Sequence, residues 1–213
     1  MTKKFYMTPG SCSTGIHILL EECGLVFEAH IVNLLAGDQY KKEYLAINPK
    51  GSIPALVLDD GSSLTEFSAI AWWLARTYPK RKLLPESIAG EVRVLGIMNY
   101  AVHTLHTQGF ARIFTTERFS PSSSDHESVK AQGRQIIDQG FAIINRELEG
   151  RDYVADQFSI ADAALFYVEF WADRTGIPLP ANCAAHYRLM LTRPAVRQVL
   201  AEEGYASVLR QTS

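Results

Sequence analysis

The 213-residue sequence lacks any long apolar run: nothing approaches the roughly 18 consecutive apolar residues that a membrane-spanning helix needs. It also lacks an excess of charge, because 21 Lys and Arg residues oppose 23 Asp and Glu residues. We therefore expect neither a membrane nor a nucleic acid as a partner. The opening residues MTKKFYM enter a strand-like run at once, so we also expect no signal peptide.

Cysteine is scarce. Cys12, Cys23 and Cys183 are odd in number and lack the spacing of a disulfide framework or a zinc site. We expect free thiols and a cytoplasmic localisation. Hydrophobic residues make up 47% and charged residues 21%, which is ordinary for a globular protein. The length suffices for one large domain or two modest ones.

The first eighty residues alternate between strand and helix patterns. KKFYM and FEAHIVNL predict strands, and a helix is expected from about Ser13 to Cys23, ended by Gly24. SIPALVLDDGSSLTE predicts a hairpin with its turn at Asp60-Gly61. The predicted order β-α-β-α-β-β-α implies a small mixed sheet with helices on its faces.

The strand patterns largely vanish after the connector PKRKLLPES. EVRVLGIMNYAVHTLHTQGFARIF predicts one long helix, and RPAVRQVLAEEG a last amphipathic one. Ser159-x-x-Asp162 is a variant capping box before a helix that is apolar nearly all round, as at the centre of a bundle. We predict an α/β domain at 1–80, a linker at 81–87 and an all-helical domain at 88–213. One predicted helix face is shared by Ile137, Phe141, Ile144 and Leu148.

Four stretches carry a resemblance to the cytosolic glutathione transferases over essentially the whole chain. They are PGSCS, NPKGSIPAL, LTEFSAIAWWLA and FSIADAALF. Cys12, His106 within LHTQGF and the ending RPAVRQVLAEEG are most similar to the bacterial beta class. The resemblance implies a thioredoxin-like N-terminal domain and a helical-bundle domain that forms the electrophile-side pocket. It also implies a detoxifying homodimer, with glutathione as co-substrate and no other cofactor.

Cys12 lies where a loop turns into a helix. Unpaired N–H groups and the positive end of the helix dipole favour thiolate there, so we expect a lowered pKa. Gly15 occupies the place of a second cysteine, which argues against an intramolecular dithiol. The hydroxyls of Ser11 and Ser13 are further catalytic candidates. The alternative is a small buried cysteine that merely packs.

Ile53-Pro54 is the second candidate. In the resembling family this peptide bond is cis, and the backbone of the residue before the proline pairs with the cysteinyl part of glutathione, like an added strand. We therefore predict a cis bond, with Ile53 in binding and Pro54 in binding and structure. The alternative is a proline that marks the edge of a strand.

Glu66, Phe67 and Ser68 enter a helix, where free N–H groups hold a carboxylate. The resemblance implies that the Phe67 N–H takes the γ-glutamyl carboxylate and that the Glu66 side chain takes the ammonium group. Family members often carry serine where this chain has Phe67, so Ser68 is a substitute hydroxyl donor. The alternative is that Glu66 only complements the helix dipole.

His103 and His106 are expected to contribute to glutathione binding; they are three residues apart, which places both on one side of an α-helix. The resemblance implies that His106 reaches toward the thiol and hydrogen-bonds a sulfur or a substrate; a surface or core histidine is the alternative. Thr107 stands where the family often has lysine. Without acidic or thiol ligands nearby in sequence, His-x-x-His is a poor zinc pattern, so we expect no metal.

The basic residue that grips the glycyl carboxylate in some relatives has no clean match. Leu35 stands near that place, and Lys50 or Lys41 is the expected substitute. Tyr6 lies inside the first predicted strand, which argues against a role as sulfur donor. Ser159 and Asp162 are expected to serve folding, not catalysis. Six aromatic residues are expected either to line an apolar cleft for the electrophile or to pack in the core: Tyr100, Phe110, Phe114, Phe119, Tyr167 and Trp171.

The leading hypothesis is an enzyme that conjugates the glutathione sulfur to small hydrophobic electrophiles. A second hypothesis is thiol transfer, reductive dehalogenation or ether cleavage through a Cys12 mixed disulfide. A third is a non-catalytic binding protein on the same fold, because fold alone does not fix function. The combination of the Cys12 turn, Ile53-Pro54 and Glu66 favours an enzyme.

Overall fold

The computed structural model describes residues 2–212, which form two compact units. The first unit contains residues 2–84 and 190–212, and the second contains residues 85–189. This division differs from the predicted one, since residues 190–212 were expected in the helical domain. The reason is local packing, in which the Arg193 guanidinium donates hydrogen bonds of 2.7 and 2.9 Å to Glu22. Within residues 2–212, no helix is long and apolar enough to cross a membrane.

The first unit is built on a four-stranded mixed sheet of β1 Lys3–Met7, β2 Phe27–Ile31, β3 Ala55–Val57 and β4 Ser63–Thr65. The strand order in the sheet is β2-β1-β3-β4. Strand β1 runs parallel to β2 and antiparallel to β3, which pairs antiparallel with β4. Phe5 of β1 stands opposite Ala29 and Leu56 in this register. The thioredoxin-like order of elements is thereby confirmed.

Helices occupy most of the remaining chain, and the first begins and ends as predicted. Gly24 adopts the left-handed conformation (φ 66°) that glycine reaches without strain, and its N–H caps the last carbonyls of that helix. The apolar face of the first helix is fully buried, with Ile16, Leu19 and Leu20 at 0% exposure. The helices are α1 Ser13–Cys23, α2 Lys42–Leu45, α3 Phe67–Thr77, α4 Ile88–Asn99, α5 Ala111–Phe114, α6 His126–Glu147, α7 Ile160–Thr175, α8 Ala181–Thr192 and α9 Pro194–Glu202.

Helix α7 forms the centre of the second unit. Every residue from Ile160 to Ala172 is buried, as its all-round apolar pattern predicted. The capping box at its start is confirmed: Ser159 caps the helix, and the Asp162 carboxylate accepts the Ser159 N–H at 2.7 Å. The predicted apolar face of α6 is buried as well.

The predicted long helix is interrupted. Between α4 and α5, residues Tyr100–Phe110 form a π-helix, in which the Ala111 N–H bonds to the His106 carbonyl five residues earlier. Two glycines admit the wider turn against α6. A Cβ on Gly109 would lie 2.7 Å from Ile137, and a Cβ on Gly140 would overlap Leu105. Close packing therefore decides a geometry that helical periodicity could not indicate.

Candidate functional site

The loop before α1 is a tight turn around Thr8. The Thr8 carbonyl accepts hydrogen bonds from the hydroxyls of Ser11 at 2.7 Å and Ser13 at 3.0 Å. The Thr8 N–H donates to the Ser13 hydroxyl at 3.1 Å. Both predicted hydroxyls thus stabilise the turn, and Ser13 is fully buried. Their catalytic role stays a prediction that would require some of these hydrogen bonds to open.

The same loop is held by residues that follow α9. The Gly10 N–H donates to Glu203 Oε2 at 2.8 Å, and the Thr14 hydroxyl donates to the same oxygen at 2.7 Å. Gly10 has φ 73°, and a Cβ there would overlap the Tyr205 ring. Sequence reasoning missed Glu203 and Tyr205, because Gly10 and Glu203 are 193 positions apart and no local spacing joins them.

Cys12 immediately precedes α1, as predicted, yet it is buried, with 8% exposure. Burial raises the pKa of its thiol to about 12, while the N–H groups of Cys12 and Ser13 act in the opposite direction without prevailing. The predicted lowering of the Cys12 pKa is therefore wrong for this structure. The thiol is protonated near neutral pH, and its Sγ donates to the Ile53 carbonyl at 3.7 Å.

The Ile53-Pro54 peptide bond is cis, which confirms the prediction. Pro54 is buried and Ile53 is partly exposed, directly before β3. The preceding Ser52 carbonyl accepts hydrogen bonds from the Tyr44 hydroxyl at 2.6 Å and from the Asn48 amide at 2.7 Å. These bonds fix the segment that brings the Ile53 carbonyl to Cys12.

Glu66 precedes α3 with φ 72° and ψ 129°. A positive φ is unfavourable for a residue with a side chain, at about 1–3 kcal/mol, and such strain clusters at ligand sites. Its carboxylate is exposed and accepts from Lys50 Nζ at 2.8 Å, so the structure brings these two candidates together. Phe67 buries its side chain in the core, and Ser68 is partly exposed.

The other candidates for the glycyl carboxylate are placed differently. Lys41 forms an ion pair with Asp38 at 2.6 Å, and Leu35 is fully exposed. Lys50 Nζ also donates to the Thr65 hydroxyl at 2.9 Å, which keeps it at the end of β4. Of the two lysines, Lys50 is therefore the one beside Glu66. Tyr6 lies within β1, as predicted, and stacks on His30.

The two candidate histidines belong to the second unit and do not share one side of an α-helix. They lie on the π-helix, whose wider turn separates residues three positions apart, and accordingly His103 is exposed while His106 is partly buried. Burial, followed by the charge of His103, lowers the pKa of His106 to about 4, so its ring is neutral at pH 7. The predicted approach of His106 to the thiol stays a prediction.

Aromatic side chains gather around His106. Its Nδ1 lies 3.3 Å from the Tyr167 hydroxyl, and its ring is 4.8 Å from the Trp171 ring, centroid to centroid. Phe110 and Phe114 also contact Trp171, at 5.4 and 5.3 Å. Four of the six predicted aromatics thus form one cluster. Phe119 instead lies under Arg112, and Tyr100 lies beside Gly140.

A polar cluster is buried at the centre of the second unit. His186 lies between Glu169, at 2.8 Å, and Asp162, at 3.2 Å. Burial lowers the pKa of His186, but these two carboxylates outweigh it and raise the value to about 10. Burial raises the pKa of Glu169. Sequence reasoning identified Asp162 but missed Glu169 and His186, which look like isolated polar residues in apolar helices.

Comparisons with known proteins agree with this architecture. Residues 10–77 match the family model "Glutathione S-transferase, N-terminal domain", and residues 127–202 match the corresponding C-terminal domain. The glutathione S-transferase GstA of Escherichia coli O157:H7 is 36% identical, with 94% of this chain and 98% of that relative aligned.

Two solved structures are similar over nearly their whole length. One is a glutathione transferase homologue from Sulfitobacter with bound glutathione, at TM-score 0.87 and 29% identity, covering 94% of this chain and 98% of that one. The other is the bacterial beta class glutathione S-transferase of Sphingomonas chungbukensis, at TM-score 0.82 and 31% identity, covering 95% and 99%. The chain belongs to the glutathione S-transferase family and is a glutathione transferase.

Proposed function

We propose that this transferase binds glutathione on its first unit and conjugates the glutathione sulfur to small hydrophobic electrophiles. The observation that carries the proposal is the juxtaposition of Cys12 Sγ with the Ile53 carbonyl at 3.7 Å. The thiol that would lie beside the glutathione sulfur is thus next to the backbone carbonyl with which the peptide can pair. The bound glutathione in the Sulfitobacter homologue supports the same ligand.

The start of α3 supplies groups for the γ-glutamyl end. Backbone N–H groups at a helix N-terminus suit its carboxylate, and the Glu66 carboxylate suits its ammonium group. Glu66 now pairs with Lys50, and both side chains are more than half exposed. Exposed ion pairs contribute about 0–1 kcal/mol, so glutathione can exchange this pair at low cost. Lys50 is then free to bind the glycyl carboxylate.

The protonated Cys12 thiol favours a role as hydrogen-bond donor. When the N–H of the glutathione cysteine pairs with the Ile53 carbonyl, Cys12 S–H loses that acceptor and turns to the glutathione sulfur. A donor there stabilises the glutathione thiolate, which is the nucleophile for conjugation. The raised Cys12 pKa correspondingly disfavours the alternative in which Cys12 itself attacks as a thiolate.

The aromatic cluster of the second unit supports an apolar co-substrate. Phe114 is 48% exposed while its partners Phe110 and Trp171 are buried, so the cluster presents an aromatic surface. Neutral His106 contributes a hydrogen bond and no charge. If the Tyr167 hydroxyl donates to Nδ1, the Nε2–H of His106 remains a donor for a polar group of the electrophile.

Two cysteine variants separate the mechanisms. Cys12→Ala is compared with Cys23→Ala, because both thiols are buried and burial raises the pKa of both. Conjugation of chlorodinitrobenzene, followed by absorbance, is expected to fall in Cys12→Ala and to stay unchanged in Cys23→Ala. The mixed-disulfide reaction is favoured instead by two results together: the wild type does not conjugate the electrophile, and intact-mass spectra show a glutathione adduct that is lost in Cys12→Ala.

Glutathione binding is tested by isothermal titration calorimetry. Glu66→Gln removes the proposed partner of the ammonium group, and we expect affinity to fall at least about tenfold, which equals 1.4 kcal/mol. Glu43→Gln makes the same change at another exposed position and should leave affinity unchanged. Binding without conjugation of any electrophile would support the non-catalytic hypothesis. Equal affinities for the three proteins would contradict the placement of the γ-glutamyl group.

We further propose a cytoplasmic homodimer. All three cysteines are free, as suits a compartment where glutathione keeps thiols reduced. Two-fold dimers are the commonest oligomers. Sedimentation equilibrium at micromolar concentration is expected to give the mass of two chains, and a monomer mass would contradict the dimer.

A further inference from the structure

A mixed cluster of histidine and carboxylate groups lies where α1 meets the end of α9. One ligand atom each from His17, Glu21 and Glu202 lies within 4.8 Å of the others. His17 and Glu21 are four residues apart on α1, which puts both on one face of the helix. His17 Nε2 is 3.3 Å from Glu202 Oε2, about the separation that two ligands of one small ion adopt at 2.0–2.2 Å each.

The imidazole is held as a metal-ligating imidazole usually is. The His17 side chain is only 5% exposed, and its Nδ1 lies 2.9 Å from the Glu203 carboxylate, which is itself 1% exposed. A carboxylate on one ring nitrogen fixes the ring and leaves the other nitrogen to bind a cation. This buried, oriented histidine distinguishes the cluster from a group of surface acids.

The Glu202 carboxylate is oriented from within its own helix. Gln198 Nε2 donates to Glu202 Oε1 at 2.9 Å, while Glu202 Oε2 faces His17. Glu21 lies beside Glu202 in the same cluster. In the part of the chain that the structure describes, no lysine or arginine forms an ion pair with either carboxylate.

The cluster also borders open space. His17, Glu21 and Glu202 line a cavity of about 360 Å³ whose other walls include Leu25 and Phe27. Water can therefore complete a coordination shell there. Glu202 is exposed and Glu21 is partly exposed, so both side chains can move from separations of up to 4.8 Å to those of ligands held about 2.0–2.2 Å from one ion.

We propose that His17 Nε2, Glu21 and Glu202 bind one divalent transition-metal ion of the zinc class. One imidazole nitrogen and two carboxylates are donors that Zn²⁺ accepts, with water in the fourth position. The ion links α1 to the end of α9, beside the Glu203 that holds Gly10. The site is separate from the groups assigned to glutathione, and it does not depend on the proposed conjugation reaction.

The test titrates chelator-treated protein with ZnCl₂ by calorimetry, alongside thermal unfolding. We expect one equivalent to bind and the melting temperature to rise, since only the folded chain assembles the three ligands. Glu202→Gln and Glu21→Gln should each weaken Zn²⁺ binding at least about tenfold, since changes even to the groups around a metal's ligands typically cost about 10–100-fold. Glu43→Gln, an exposed glutamate of the same unit, should bind like the wild type.

Two further variants exclude other ligands. Cys12→Ser and His103→Gln should retain the Zn²⁺ equivalent, and Co²⁺ substitution should give visible absorption without a thiolate charge-transfer band. Circular dichroism verifies that each variant is folded. Absence of Zn²⁺ binding to the wild-type protein at about 1 mM, where a site of 4.1 kcal/mol would be half filled, would overturn the metal site. Zn²⁺ binding that persists unchanged in both Glu21→Gln and Glu202→Gln would overturn the assignment.

Discussion

Each unit buries one glutamate against one histidine, and the two pairs differ in what surrounds them. The Glu203 carboxylate faces His17 and accepts from the Gly10 N–H and the Thr14 hydroxyl, so both oxygens are used. Glu169 bonds His186 through Oε2, whereas its Oε1 has no hydrogen-bond partner among the described residues. The Glu203 carboxylate takes donors from the loop before Cys12 and from the first turn of α1, whereas the Glu169 carboxylate accepts from no loop residue that the structure describes.

The difference shows that similar chemistry serves two purposes. The Glu203 pair positions the backbone just before Cys12, so its effect reaches the proposed glutathione site. The Glu169 pair is linked through His186 to Asp162, which belongs to the capping box of α7, so it stabilises the interior of the second unit. Removing one partner of a buried pair is strongly destabilising in either place, because the remaining group is left uncompensated.

The largest expected effect comes from Asp162→Ala. The variant removes the acceptor of the Val154 and Ser159 N–H groups and leaves His186 with one carboxylate. We expect the free energy of unfolding, measured in urea at pH 7, to fall by about 3–5 kcal/mol. Asp138→Ala, on the exposed side of α6 in the same unit, should lower it by about 1 kcal/mol or less. Similar losses for both would contradict the buried cluster.

Glu203→Gln is expected to lower the free energy of unfolding by about 2–3 kcal/mol. The new amide NH₂ would face the Gly10 N–H and the Thr14 hydroxyl, which now donate to a carboxylate oxygen. The variant should also loosen the loop and accelerate alkylation of Cys12 by iodoacetamide. Glu169→Gln should leave that rate unchanged, since it lies in the other unit's core. If both variants change Cys12 reactivity equally, the proposed division between positioning and core packing fails.

Gly10→Ala tests the other anchor of the loop against Gly37→Ala. Both glycines have φ 73°, but a Cβ meets Tyr205 at Gly10 and nothing within 4 Å at Gly37. The backbone strain of alanine at this φ should lower the free energy of unfolding of both variants by about 1–2 kcal/mol. The clash with Tyr205 should lower that of Gly10→Ala by roughly 1–3 kcal/mol more. Equal losses of unfolding free energy would show that Tyr205 does not hold the loop.

The smallest effect concerns pH. The folded-state pKa of His186 is raised to about 10, so the folded chain keeps a proton that the unfolded chain releases above its ordinary pKa of about 6.5. This stabilisation is complete below pH 6.5 and is lost as pH rises toward 10. Between pH 7 and 8 it should fall by at most about 1.4 kcal/mol. The slope should be shallower in His186→Gln; parallel slopes would contradict the assignment.

Local pattern was sufficient for the elements and for several site positions. Residue periodicity located the strands and most of the helices, and Gly24 and the Ser159–Asp162 box marked helix ends. These features depend on neighbours within a few residues, which is why the sequence expresses them directly. The resemblance further indicated the cis bond at Ile53-Pro54, which composition alone would not favour.

The ionisation states and the loop anchors were decided by tertiary structure. The position of Cys12 at a helix start correctly indicated that backbone N–H groups lower the pKa of its thiol. Burial has the larger and opposite effect, so the pKa is raised. His106 lost its α-helical register because Gly109 and Gly140 allow close packing with a π-helix. Desolvation and packing depend on residues far away in the chain, such as Glu203 for Gly10. The sequence by itself therefore determined which groups are present, and the fold determined their surroundings and charge.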